Sequence, residues 1–273
     1  MSLVVISREM GSGGTQLGRA VAERLGYRFA DREVVLEAAR RYHVQEDKLA
    51  RFEETKPSFW ERFDTERSTY LAFIEAALYS FAAEDDAVIT GRAAPFFFRD
   101  VPHAMRVRVI APLEVRAARV AQEEKISLAE AEARVRRHDE ESFARLTQLF
   151  QTDCSSPALY DLVMNSERGT LDGAARTLES ALRFGPFAPT AESLRQMHDR
   201  ALAAQVRAEL LRTDGLDTLA VQVRADHGTI FLEGAVFGPR WADLATEIAR
   251  KVAGVQEVVC TRAALAPLPP PPP

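Results

Sequence analysis

The sequence predicts an α/β protein: a three-layer sandwich around a five-stranded parallel sheet, followed by a smaller α/β unit. Three observations carry this. Apolar runs rich in β-branched residues recur at Leu3 to Ile6, Ala87 to Thr90, Val107 to Ile110 and Leu162 to Met164, as strands buried on both faces do. Helical periodicity fills the intervals, which is the alternation of a parallel sheet with crossover helices. The 273 residues, 47% hydrophobic and 27% charged, exceed one ordinary domain and leave material for a second core.

Taken in order, the first run leads into a glycine-rich turn and then a helix whose apolar face is Leu17, Val21 and Leu25, with Thr15 expected as its cap and Gly26 as its stop. Tyr27 to Ala30 follows closely as the fifth strand. Pro112 opens the helix LEVRAARVAQEE, where its missing N–H costs nothing. Ser127 and Glu130 have the spacing of a capping box for a long charged helix running towards Leu149. Near residue 185 the composition shifts to GPFAPTAES, which reads as a linker over 186–193 between a first domain, 1–185, and a second, 194–265. The second unit is expected to contain a helix from Ser193 to Leu211, a hairpin turning at Asp226 to Gly228, a helix from Arg240 to Val252 and a closing strand VQEVVCTRA. The tail at 266–273, ending in PLPPPPP, reads as a solvated polyproline segment.

Composition excludes several function classes. A net charge of -5 argues against general nucleic-acid binding, which needs an excess of Lys and Arg. Cys154 and Cys260 are the only cysteines, so no disulfide framework is implied and a reducing compartment fits. The apolar start MSLVVIS is too short for a signal-peptide core, and no stretch has the length of a transmembrane helix, so the expected location is the cytoplasm. His43, His103 and His138 lack metal-ligand spacing and read as surface or loop residues; Phe96, Phe97 and Phe98 read as packing.

The stretch with most chemical content is ISREMGSGGTQLG, residues 6–18. A glycine-rich loop between a buried strand and a helix turns backbone N–H groups and the positive helix terminus towards an anion. Gly11, Ser12, Gly13 and Gly14 would supply those groups. Thr15 falls where G-x-x-x-x-G-K-[ST] places a hydroxyl on Mg²⁺, but Gly14 stands at the lysine and Arg8 at the first glycine. A lost charge-assisted contact costs roughly 1.5 to 3 kcal/mol, so another cation is required, and Arg8 is nearest in sequence.

ISREMGSGG, the Leu-Gly-Tyr-x-Phe-x-Asp stretch ending at Asp31, VITGRAA, VRVIAPLEVRAARV and YDLVMNS together resemble the cytidylate kinase-like family over roughly the first 183 residues. The resemblance implies a P-loop kinase-type sandwich and transfer of the ATP γ-phosphoryl group, with Mg²⁺, to CMP, dCMP or a similar acceptor. It implies that Gly14 is a family trait, that Gly11 to Thr15 surround the donor phosphates with Thr15 on the metal, and that Asp31 helps to position the nucleoside monophosphate. Arg92, after the central strand, would meet the acceptor phosphate, and Arg116 and Arg119 would begin the lid. Arg137 and Arg145 would serve the substrate beside Asp139, whereas Arg134 and Arg136 read as solvated partners of neighbouring glutamates. Ser142 stands where relatives carry the arginine of an aspartate-x-x-arginine pattern, and Arg145 lies about one turn later. Gly14 and Ser142 motivate an alternative, a nucleotide sensor with weak or no turnover. Residues 195–264 resemble a BON domain, which implies a protein or phospholipid partner; packing or oligomerisation is the alternative, since no basic stripe is evident.

Overall fold

The computed structural model describes residues 2–31, 41, 64–84, 86–91, 93–213, 221–234 and 239–262. Arg92, His43 and the polyproline tail lie outside them. Strands β1 (Leu3–Arg8), β2 (Arg28–Ala30), β3 (Ala87–Thr90), β4 (Ala104–Ile110) and β5 (Leu162–Asn165) form one five-stranded sheet in the order β2-β3-β1-β4-β5. Every pairing in it is parallel. β1 is central and its apolar residues are buried on both sides, which is why LVVI reads as continuous rather than alternating. Val4 and Ile6 enter one core with Val88, Val107 and Val109; Leu3 and Val5 enter the opposite one with Ala87 and Ile89.

Helix α1 (Gly14–Leu25) covers the first of these faces. Gly14 and Gly18 fall one turn apart on its sheet side, where a Cβ on Gly18 would stand 2.5 Å from Thr90 Cγ2 and 2.9 Å from Phe29. The helix therefore seats closely on the strands, with Leu17 and Val21 filling beside the stripe. It ends at Gly26, which is left-handed at φ 70°. Its start differs from the sequence expectation: Gly13 is the N-cap and no side chain caps it, while Thr15 lies within the helix. β4 also begins three residues earlier than its apolar run. Arg106 is accepted there because Asp161 takes both its backbone N–H and its guanidinium, at 2.7 and 2.9 Å.

The opposite face is covered by α2 (Asp64–Glu84) and by a helix further along the chain. The short α3 (Ala94–Phe97) buries Phe96, and Phe98 is fully buried, so these aromatics pack as expected; Phe96 stacks on Phe150 at 4.8 Å. α4 (Leu113–Glu124) and α5 (Leu128–Phe150) pair beyond β4 around Ala117, Val120, Ala131 and Val135. Ser127 accepts from the Glu130 N–H, so only that half of the expected box is formed. α6 (Leu171–Phe184) returns beside α1.

α7 (Ala191–Arg212) opens with a reciprocal capping box between Thr190 and Ser193. β6 (Val221–Asp226), β7 (Thr229–Gly234) and β8 (Glu257–Arg262) form a second sheet, β6-β7 antiparallel and β7-β8 parallel, with α8 (Pro239–Arg250) against it. The hairpin turns on His227 and Gly228, at φ 50° and 76°, the pair of positive values a two-residue turn between twisted strands requires. Asp199 of α7 accepts from both turn N–H groups, at 3.3 and 3.4 Å. α7 has two apolar stripes. Met197, Ala201, Ala204 and Ala208 join the core under the large sheet with α2, and Val206 and Leu210 join the core of the small sheet. Among the described residues, no helix is long and apolar enough to cross a membrane.

Candidate active site at the head of the first helix

The chain leaves β1 at Arg8 and turns sharply, with both the N–H and the hydroxyl of Ser12 donating to the Glu9 carbonyl at 3.1 and 2.8 Å. Gly11 and Gly13 adopt φ of 75° and 80°, values that favour glycine. Gly11 is doubly required, because a Cβ there would stand 2.7 Å from the Arg116 carbonyl oxygen. The loop delivers the uncapped head of α1 to the carboxyl end of the sheet, and the first turn holds no acidic residue. Unpaired N–H groups and the positive end of the helix dipole make that head an anion site.

Arg8 answers the question of the absent lysine in three dimensions. By alternation along β1 it lies on the face that carries α1, after Val4 and Ile6. A Cβ on Gly14 would stand 2.6 Å from Arg8 Cβ and 3.3 Å from its Cδ. The arginine stem therefore fills the space in which a lysine side chain at position 14 would begin. Its Nε donates to Thr15 Oγ1, and its terminal nitrogen donates to both Asp31 oxygens at 3.0 and 3.3 Å. Thr15 Oγ1 is also 3.4 Å from Asp31. A cation, a hydroxyl and a carboxylate thus meet beside the helix head, drawn from β1, α1 and the end of β2.

A second set of arginines fastens the loop. Arg116, only 7% exposed, donates to the carbonyls of Ala111 and Met10 and pairs with Asp139 at 2.6 Å and Glu9 at 3.4 Å. It is an anchor between the loop, α4 and α5 rather than a guanidinium turned to solvent, and Asp139 is its counter-charge. Glu9 also holds Arg108 at 3.3 Å. Arg119 differs. It donates to Ser166 Oγ and O at 3.0 and 2.8 Å and reaches Gly11 O at 3.4 Å, with no carboxylate partner among the described residues. Ser166 in turn donates to the Ser12 carbonyl at 2.6 Å. Glu9 and Ser166 were not singled out from sequence, although both fall within stretches of ISREMGSGG and YDLVMNS that carry the resemblance.

The remaining predicted residues are not gathered at the loop. Arg137 is exposed on α5, and Arg145 is half-buried on the same helix. Ser142 is buried and its hydroxyl has no hydrogen-bond partner. Arg136 pairs with Glu132 one turn away as expected, whereas Arg134 reaches back to Glu124 of α4. His103 is a turn residue just before β4, as the loop alternative has it, but it is 2% exposed and not at the surface, and burial holds its imidazole below the usual value. Cys154 is free and buried, its thiol pushed up to about 11 by loss of solvent. No cluster of three or more His, Cys, Asp or Glu suited to a metal occurs among the described residues.

Residues 3–168 match the cytidylate kinase-like family, and residues 198–261 match the BON domain. A cytidylate kinase of Pyrococcus horikoshii is 25% identical over 181 residues, covering 66% of this chain and 88% of that protein. One from Methanopyrus kandleri is 26% identical over 189 residues, covering 66% and 92%. Among solved structures, an uncharacterised protein from Eubacterium ventriosum is similar in fold, with a TM-score of 0.53 at 16% identity, covering 67% of this chain and 99% of that one. With the matched segment spanning every strand of the large sheet and the whole glycine-rich loop, the chain belongs to the cytidylate kinase-like family, with a BON domain following it.

Proposed function

We propose that the protein is a nucleoside monophosphate kinase that transfers the γ-phosphoryl group of ATP to CMP or dCMP. The observation that carries this reading is the Arg8 stem in the space of the missing lysine, with its guanidinium beside the head of α1. The donor phosphates are assigned to the amides of Gly11, Gly13, Gly14 and Thr15, with Ser12 holding the turn through its N–H on the Glu9 carbonyl, and Arg8 and Arg119 supply the neutralising charge. Phosphoryl transfer asks for positioning and charge stabilisation more than covalent chemistry, and guanidinium forks suit both. Once Arg8, which now donates to both, turns to the phosphates, Thr15 Oγ1 and Asp31, 3.4 Å apart, would hold Mg²⁺, which keeps most of its water and needs few protein ligands. When bound there it screens the donor phosphates. Arg92 is assigned to the acceptor phosphate, with Asp31, Arg137 and Arg145 on the acceptor side; Arg116 and Asp139 hold the loop in register. We place the activity in the cytoplasm, with the BON domain as an interaction module for a protein or phospholipid partner.

The test is an acceptor screen at fixed ATP and Mg²⁺, in which CMP or dCMP should give the diphosphate. Absence of turnover with every nucleoside monophosphate would overturn the kinase reading. Ser142, buried at the position where the family resemblance implies an arginine, supports the second reading, a nucleotide sensor, which calorimetric binding of ATP without product would select.

A further inference from the structure

Three successive carbonyls of the glycine-rich loop are held by side chains from outside it. The Met10 carbonyl accepts from Arg116 at 3.3 Å, the Gly11 carbonyl from Arg119 at 3.4 Å and the Ser12 carbonyl from the Ser166 hydroxyl at 2.6 Å. These peptide bonds are trans, and a planar trans unit points its C=O and its N–H in opposite directions. Each contact to a carbonyl therefore also aims an amide. In the Gly11–Ser12 unit the carbonyl faces Arg119, and the N–H turns back to the Glu9 carbonyl at 3.1 Å. In the Ser12–Gly13 unit the carbonyl faces Ser166, so the Gly13 N–H points the other way, where we place the donor phosphates.

Ser166 is rigidly held. It follows β5 directly, and its N–H continues the sheet by donating to the Ile110 carbonyl at 2.9 Å. Its hydroxyl and its own carbonyl both accept from the Arg119 guanidinium, at 3.0 and 2.8 Å. A hydroxyl that accepts from a cation is polarised into a better donor, and this one donates to Ser12. Ser12 is fully buried, so water cannot replace that donor if it is removed. Arg119 has no carboxylate partner among the described residues, which leaves Ser166 and the Gly11 carbonyl to aim it.

We propose that Ser166 is a positioning residue for the donor phosphates: its hydroxyl fixes the Arg119 guanidinium and the Gly13 amide in one arrangement, so that both meet the same phosphate oxygens. This rests on the kinase reading above. Ser166 acts through Arg119 and the loop and not on the nucleotide itself.

Steady-state kinetics of the full chain with CMP, ATP and Mg²⁺ test this in Ser166→Ala, Ser166→Thr, Arg119→Ala and the double alanine variant. Ser166→Ala should lower kcat roughly fivefold or more and leave the KM for CMP unchanged. Its backbone contacts to Ile110 and Arg119 remain, so the melting temperature should move by no more than about 4 °C. Ser166→Thr keeps the hydroxyl and should recover most of kcat. In the double variant the combined loss should fall short of the product of the single losses by roughly threefold or more, because the hydroxyl acts through the guanidinium. A wild-type kcat in Ser166→Ala at any melting temperature, a threonine variant no better than the alanine one, or losses that multiply would overturn the role. If the wild type turns over no nucleoside monophosphate, the kinase reading fails, and the same cycle read as Mg²⁺-ATP affinity by calorimetry decides Ser166. A loss of roughly threefold or more in Ser166→Ala that shrinks in the Arg119→Ala background upholds the positioning role; an unchanged affinity, or no ATP binding by the wild type, overturns it.

Discussion

Arg8 and Gly14 are complementary: the strand brings the cation, and the helix gives up its side chain to make room. With 2.6 Å between Arg8 Cβ and any Cβ at position 14, the two positions cannot both carry a β-carbon without moving the helix. Arg8→Ala should therefore weaken Mg²⁺-ATP binding at least tenfold, as loss of a charge-assisted contact worth roughly 1.5 to 3 kcal/mol predicts. Arg8→Lys should recover part of that loss, since a point charge replaces a fork. Arg116 and Arg119 should separate in the same assays. Arg119→Ala should lower turnover with little change in melting temperature, whereas Arg116→Ala should lower both, because it leaves Asp139 without its guanidinium and Glu9 with Arg108 alone. The sequence shows that arginines cluster near the loop but not which of them is consumed by a carboxylate. That depends on Glu9 and Asp139 arriving from opposite sides of Arg116, and only folding brings them there.

At the level of elements, α1 is placed by its glycines as much as by its leucines. Gly18→Val would press two methyl groups against Thr90 and Phe29, and overpacking of this kind costs about 1 to 3 kcal/mol, read as a lower melting temperature. The strands of the large sheet are legible because β-branched runs buried on both faces leave a strong signal. β4 was cut short because Arg106 breaks its run, and the Asp161 partner that compensates lies beyond two intervening helices. Helix starts were less legible. Thr15 has a capping residue's chemistry, but its hydroxyl is taken by Arg8, and a glycine begins the helix instead. Cys154, buried with its thiol at about 11, should resist alkylation at neutral pH until the chain unfolds, while the half-buried Cys260 reacts first.

Across the whole molecule, α7 joins the two sheets because it is apolar on two sides. The four-residue and three-residue steps from Met197 to Ala208 meet the core of the large sheet, and Val206 and Leu210 meet that of the small one. A helix with two stripes shows little one-sided amphipathicity, so sequence reading assigns it to the second unit and misses its contact with α2. Small residues set that contact: Ala204→Leu should force α2 and α7 apart at a cost of about 1 to 3 kcal/mol, and the two sheets should melt together in wild type. The order of motifs along the chain made the family legible, since each motif sits at the end of a strand and the sheet brings those ends to one edge. The sequence puts Arg8 near the loop, and in the fold its side chain meets Thr15 and the space beside Gly14. The most direct test of its role is Mg²⁺-ATP affinity, measured by calorimetry, for wild type, Arg8→Gly, Gly14→Lys and the double variant that combines them. If Arg8 stands in for the lysine, both single variants bind at least tenfold more weakly and the double variant, which carries no Cβ at position 8, regains most of the loss; a wild-type affinity in Arg8→Gly, or a double variant no better than either single one, would contradict it.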